Sequence, residues 1–167
     1  MPSVKAYLDN NVVSSIVKDD IESQSDALSR LLEAGDQGNV QLVTSEITLE
    51  EIKRVPSRYR PPLERTFRLL EKVPVVRWED LIFITNDGSG NNWPVIQSDP
   101  LYQNLLSLGL ESTDSKHLFV ATKQSCEVFL TCDNTPRTGI LRRAAELKAL
   151  CGVLVQRPSE FVAANGW

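Results

Sequence analysis

Four acids, Asp9, Glu51, Asp114 and Asp133, lie far apart in the chain, and each closes a strand-like run or sits in the helical turn beside one. In a parallel α/β sheet the carboxyl ends of the strands face the crevice where ligands bind, so acids at such positions are directed to one place. Carboxylates brought together repel unless a cation or a proton lies between them. Hard oxygen donors suit Mg2+ or Mn2+ better than zinc, and such ions keep several waters while they bind phosphate oxygens of a substrate. The natural chemistry is phosphodiester hydrolysis. One ion would lower the pKa of a bound water to make the nucleophile, and a second, if present, would stabilise the leaving oxygen.

Each acid taken singly has a plainer explanation. Asp9 precedes Asn10-Asn11 and Asp133 precedes Asn134, which is ordinary turn chemistry. Asp114 suits the positive end of a helix, and Glu51 suits a solvated helix face. The conjunction of all four at one crevice is what points to a site.

The elements that must position them follow from periodicity. Val4 to Leu8 reads as a strand stopped by Asp9-Asn10-Asn11, and Leu28, Leu31 and Leu32 mark a helix from Ile21 to Ala34, closed by Gly35 with Gly38. Val40 to Val43 is a second strand. Thr44 or Ser45 caps a helix carrying both Glu50 and Glu51; adjacent helical residues point about 100° apart, so only one of the two can face the crevice. The two compete for that position. Pro61-Pro62 opens a helix with Leu63, Phe67 and Leu70 on one stripe, and Val73 to Trp78 is extended. Thr85 to Pro100, rich in Asn, Gly, Ser and Asp, reads as a long polar loop or insertion.

Leu101 to Leu110 is helical again, and Thr113 is a plausible N-cap for the helix holding Asp114. Val128-Phe129-Leu130 is a buried strand, Ile140 to Leu150 an amphipathic helix closed by Cys151-Gly152, and Val153 to Val155 a last strand, followed by a terminal turn at Pro158. Strands alternating with helices imply an α/β sandwich with a mostly parallel central sheet in one domain over 1–167.

A formal net charge of −4 argues against binding nucleic acid through bulk charge. Locally the sign reverses: Lys53 to Lys72 carries seven basic residues against two acids. Arg54, Arg58 and Arg60 in that segment are a solvated face or, in the functional reading, contacts to RNA phosphates or to an acidic partner. Cys126, Cys132 and Cys151 lack paired C-x-x-C spacing and read as small core hydrophobes. No apolar run approaches a membrane span, and no signal-peptide pattern follows Met1, so a cytoplasmic protein without a membrane partner is expected. His117, the sole histidine, stands three residues after Asp114 and reads as a surface or packing residue rather than a general acid. Asn11 and Thr131 are expected to orient carboxylates or metal waters. Trp93, in the polar loop, is a tucked aromatic or a base-stacking one.

These residues resemble the PIN-domain family of metal-dependent ribonucleases, especially the toxins of bacterial and archaeal toxin–antitoxin pairs (VapC-like). Tyr7-Leu8-Asp9-Asn10-Asn11 is similar to the family's first motif and Thr44 to Ile52 to its second, a strand-end Ser or Thr followed by a helical Glu. Thr113 to Ala121 resembles the third, and Thr131-Cys132-Asp133 the fourth; Gly152 to Pro158 is similar to the family's tail. The four motifs stand in the family's order over nearly the whole chain. The resemblance implies a three-layer α/β/α fold, Asp9, Glu51, Asp114 and Asp133 as metal-binding and catalytic acids, RNA as substrate, an antitoxin partner and a homodimer. The polar loop and the basic segment after Glu51 are not motif features. The main alternative is a PIN-like RNA-binding or scaffolding module without catalysis, which need not bind the ion. A phosphatase or receiver-type domain fits less well, because the Asp-x-Asp-x-Thr pattern of an aspartyl nucleophile is lacking.

Overall fold

The computed structural model describes residues 3–15, 22–54, 73–77 and 93–167. Within them, five strands form one sheet: β1 (Val4–Leu8), β2 (Val40–Ser45), β3 (Val75–Val76), β4 (Val128–Leu130) and β5 (Leu154–Gln156). Their order is β3-β2-β1-β4-β5 and every pairing is parallel. Strand order therefore runs outward in one direction from β1 through β2 and in the other through β4. The crevice between the ends of β1 and β4 is the switch point at which such sheets bind ligands.

Strand alternation sends successive side chains to opposite faces. The register pairs Ala6 with Leu42 and Val128, and Tyr7 with Val43 and Phe129, so like-facing residues line up across three strands. Ala6, Leu8, Val40, Leu42, Val128 and Leu130 pack on one face against Leu28, Leu31 and Leu32 of α2 (Glu22–Asp36) and Phe161 and Val162 of the last helix. Tyr7, Val43, Phe129 and Val155 enter a second core on the other face. There they meet Ile47 of α3 (Glu46–Lys53), Tyr102 and Leu105 of α5 (Pro100–Ser107), Leu118 to Ala121 of α6 (Ser112–Lys123) and Leu147 of α7 (Ala144–Cys151). A fully buried Leu contributes about 1.5–3 kcal/mol, so these two cores hold the sheet between its helical layers. The fold is the expected three-layer α/β/α sandwich, here with an all-parallel sheet.

Several boundaries differ from the sequence reading. The segment after Pro158 is not a turn but the helix α8 (Pro158–Asn165). Pro158 stands at its first position, Glu160 accepts a hydrogen bond from the Arg157 backbone N–H at 3.0 Å, and Phe161 and Val162 are buried beside α2. The polar loop ends earlier than Pro100, because residues Trp93–Ser98 form α4 and Asp99 caps α5 by accepting from the Leu101 N–H at 2.8 Å. The rest of that loop, the helix expected after Pro61-Pro62, and Trp78 lie outside the described residues.

Helix α6 starts at Ser112 with Glu111 in the cap position, so Thr113 is inside its first turn and caps nothing. Gly35 lies inside α2, and Gly38 follows the helix at φ +76°, the left-handed conformation that a glycine adopts without penalty. β2 continues past Val43 to Ser45, and the last strand is shifted one residue to Leu154–Gln156. A short helix, α1 (Asn10–Ser15), follows directly on Asp9, and a 3-10 turn at Ile140–Arg143 precedes α7. Cys126 is buried, and Cys132 and Cys151 are half-buried. Among the described residues no helix is long and apolar enough to cross a membrane.

Candidate active site

The ends of β1 and β4 build the centre of the crevice. The Asp9 backbone N–H donates to the Leu130 carbonyl at 3.0 Å, extending the parallel ladder one residue beyond β1 and fixing where the side chain starts. Its carboxylate is only 1% exposed. Oδ2 accepts from the Thr131 hydroxyl at 2.7 Å and from the Asn11 amide at 3.3 Å. The same Thr131 oxygen accepts the Asp133 N–H at 3.1 Å, which leaves its single proton committed to Asp9. Thus Asn11 and Thr131 both hold Asp9. Burial pushes the Asp9 carboxyl above its ordinary range, and Glu51 adds to the rise; His117, Thr131 and Asn11 oppose it.

Asp133 has a structural task as well. Oδ1 accepts from the backbone N–H and the hydroxyl of Thr135, at 3.1 and 2.6 Å, and Oδ2 accepts from the Ile140 N–H at 3.0 Å. A carboxylate offers about four lone-pair positions, so one on Oδ2 stays available for a ligand. The turn is tight. A methyl group on Gly139 would stand 2.5 Å from the Thr135 backbone nitrogen.

Asp114 lies in the first turn of α6, half-buried and with no hydrogen-bond partner among the described residues. Burial first, then the nearby charges of Asp9 and Asp133, push its carboxyl up to about 7; Glu111 adds to this, and His117 opposes it. The helix N-terminus, which ordinarily favours a carboxylate, is outweighed. Glu111, at the cap position, is a further acid of this neighbourhood that the sequence reading did not single out.

On the α3 side, Glu51 turns toward the crevice while Glu50 is exposed, as their helical separation requires. Glu51 meets His117. The histidine is 1% exposed, not on the surface: Nε2 lies 2.9 Å from Glu51 Oε2 and 3.8 Å from Asp9 Oδ1, and Nδ1 lies 2.7 Å from the Tyr7 hydroxyl. That hydroxyl is in turn 2.6 Å from Ser45 Oγ. Burial would lower the His117 pKa, but the bond to Glu51 and the charges of Asp9, Glu51 and Asp114 outweigh it and leave it raised. Burial likewise raises the Tyr7 pKa, so this residue stays a phenol. The sequence reading missed both residues. The available signal was a lone polar residue in an otherwise apolar stretch, Leu118 to Ala121, at helical spacing from Asp114.

The four acids therefore share one electrostatic neighbourhood, but among the described residues no three His, Cys, Asp or Glu groups converge closely enough to encage an ion. An ion that keeps most of its waters and takes only one or two carboxylates fits such a set, and Mg2+ behaves this way. The Asp114 carboxylate, beside two others and without a hydrogen-bond partner among the described residues, is the position that a cation would relieve. Arg54 is exposed at the end of α3, away from the buried centre, whereas Arg58, Arg60 and the Trp93 side chain lie outside the described residues.

No protein-family model and no curated protein sequence matches the chain. Its fold does match a solved structure, the VapBC2 complex of Rickettsia felis bound to a DNA fragment from its promoter. The match has a TM-score of 0.57 and 13% identity, and it covers 92% of this chain and 98% of that one. At that identity the likeness establishes the fold alone.

Proposed function

We propose that this chain is a Mg2+- or Mn2+-dependent endoribonuclease that hydrolyses RNA phosphodiester bonds and acts as the toxin of a toxin–antitoxin pair. The observation that carries the reading is the placement of the Asp114 carboxyl beside Asp9 and Asp133 at the ends of β1 and β4, with no hydrogen-bond donor among the described residues; the crowding pushes its pKa up to about 7. Asp114 and one neighbour, either Asp9 through Oδ1 or Asp133 through the remaining acceptor of Oδ2, would hold the ion directly and the other through water, with Glu51 completing the acidic rim. A bound ion of this kind supplies an activated water and polarises a phosphoryl oxygen. Thr131 and Asn11 keep the Asp9 carboxylate in one orientation, and the sheet beneath excludes water from it. Arg54, with Arg58 and Arg60, is proposed to contact RNA phosphates or an acidic segment of the antitoxin. The resemblance of the fold to a chain of the VapBC2 complex supports a partner of antitoxin type.

The test is cleavage of RNA by purified protein with added Mn2+. Asp9→Asn should abolish cleavage while the circular dichroism spectrum persists; equal activity in the variant would overturn the proposal. A second reading, a PIN-like RNA-binding or scaffolding module, is favoured by one observation, the lack of three converging ligands among the described residues. Calorimetric titration with Mn2+ separates the two, because the module need not bind the ion.

A further inference from the structure

Tyr7, Ser45, His117 and Glu51 form one buried run of hydrogen bonds that ends at the acidic rim. Both ring nitrogens of His117 are engaged, Nδ1 by the Tyr7 hydroxyl at 2.7 Å and Nε2 by Glu51 Oε2 at 2.9 Å. The ring meets Tyr7 edge-on, with centroids 5.8 Å apart at 63°. Tyr7 cannot yield, since it is stacked on Phe129 at 5.2 Å and 11° inside the sheet core and is wholly buried. Flipping the imidazole would break both of its hydrogen bonds, and a buried polar atom left without its partner costs about 1–3 kcal/mol.

The position of Nε2 matters for the ion count. It lies against Glu51 and 3.8 Å from Asp9 Oδ1, between the two carboxylates. In paired-ion hydrolytic sites the ions stand about 3.5–4 Å apart, so both must fit among the same few carboxylates. A second ion that joined Asp9 to Glu51 would need the place the imidazole fills. The N–H aimed at Glu51 opposes a cation there both by volume and by the sign of its dipole.

Resting on the metal-dependent reading above, we propose that the site takes a single divalent ion, on the side of Asp114, and that His117 stands where the second would bind. His117 is a positioning residue: it holds Glu51 through an N–H and is itself held by Tyr7 and Ser45. Glu51 then faces the imidazole rather than an ion, and the single ion is held by Asp114 with one neighbouring carboxylate, Asp9 or Asp133, and by water.

His117 is the chain's sole histidine, so its ring nitrogens can be followed by NMR without assignment. In a Mg2+ titration the Nε2 proton should persist through saturation; its loss on binding would overturn the proposal. Calorimetry and electron paramagnetic resonance with Mn2+ should give one ion per wild-type chain and two, spin-coupled, in His117→Ala. Two ions in the wild type, or one in both proteins, would overturn it. If His117→Ala does not fold, Tyr7→Phe keeps the ring stack and removes only the anchor. The Nε2 proton should then exchange with water roughly tenfold faster, as local opening becomes easier, and unchanged exchange would overturn the proposal. Absence of ion binding in every protein would remove the nuclease reading itself, an outcome distinct from two ions in the wild type.

Discussion

Removing the Asp114 charge should stabilise the ion-free protein. The Asp114 carboxyl stands at about 7 in the folded chain against 3.8 as its ordinary value. A tenfold change in proton affinity corresponds to about 1.4 kcal/mol, so ionising Asp114 above neutral pH costs the folded state up to about 4 kcal/mol. The sign follows from linkage. The folded state binds the proton more tightly, so stability is greatest below 3.8 and falls as pH rises through about 7. Asp9, raised chiefly by burial, contributes in the same direction. So does His117, whose raised pKa gives a contribution present below its unfolded value and lost as pH rises through the folded one.

Asp114→Asn removes one of these costs. Partial exposure of the site and the loss of about 0.3–1 kcal/mol of helix-dipole interaction reduce the gain to about 2 kcal/mol near pH 8. In a chain of this length that is a rise in Tm of about 4–8 °C. The assay is thermal unfolding in chelator at about pH 5 and about pH 8, repeated in excess Mn2+. The variant should gain at the higher pH, show a flatter pH dependence, and lack the ion-induced rise expected of the wild type under the proposed function. A variant no more stable than the wild type at the higher pH would refute the view that these carboxylates repel one another.

Two further outcomes follow from the same geometry. Thr131→Val keeps the shape of the side chain but leaves the buried Asp9 carboxylate one donor short, so urea denaturation should show a loss of about 1–3 kcal/mol. Calorimetry of that variant should also show weaker Mn2+ binding, since Asp9 is no longer held. Gly139→Ala drives a methyl into the Thr135 backbone and forces the Asp133 turn apart; a loss of about 1–3 kcal/mol, measured the same way, is expected.

Much of the fold could be read from the chain because local signals agreed with global ones. Val4 to Leu8 ends where polar residues begin, and Val128-Phe129-Leu130 is apolar because both sheet faces are covered. Helical geometry allows only one of Glu50 and Glu51 to face the crevice, and the spacing from Ser45 in the motif that the chain resembles favours Glu51. Pro158-Ser159 has the composition of a turn, but Pro at the first position and Glu three residues after Arg157 make it the start of a helix. His117 and Tyr7 were hidden for a different reason. Their importance rests on a meeting across 110 positions of sequence, and no local pattern records which face of a strand will meet which turn of a helix. The caps failed similarly: Thr113 has the right chemistry, but the chain enters the helix two residues earlier.

The Tyr7 ring has one face in the sheet core, on Phe129, and its hydroxyl on the imidazole that holds Glu51. Packing between β1 and β4 is thus transmitted to the acidic crevice without an intervening loop. A substitution that loosens this core would appear first as a poorly held Glu51, before the chain lost stability enough to unfold. A core packed in this way couples the position of Glu51 to the fit of Tyr7 on Phe129, so interior and crevice cannot be altered independently.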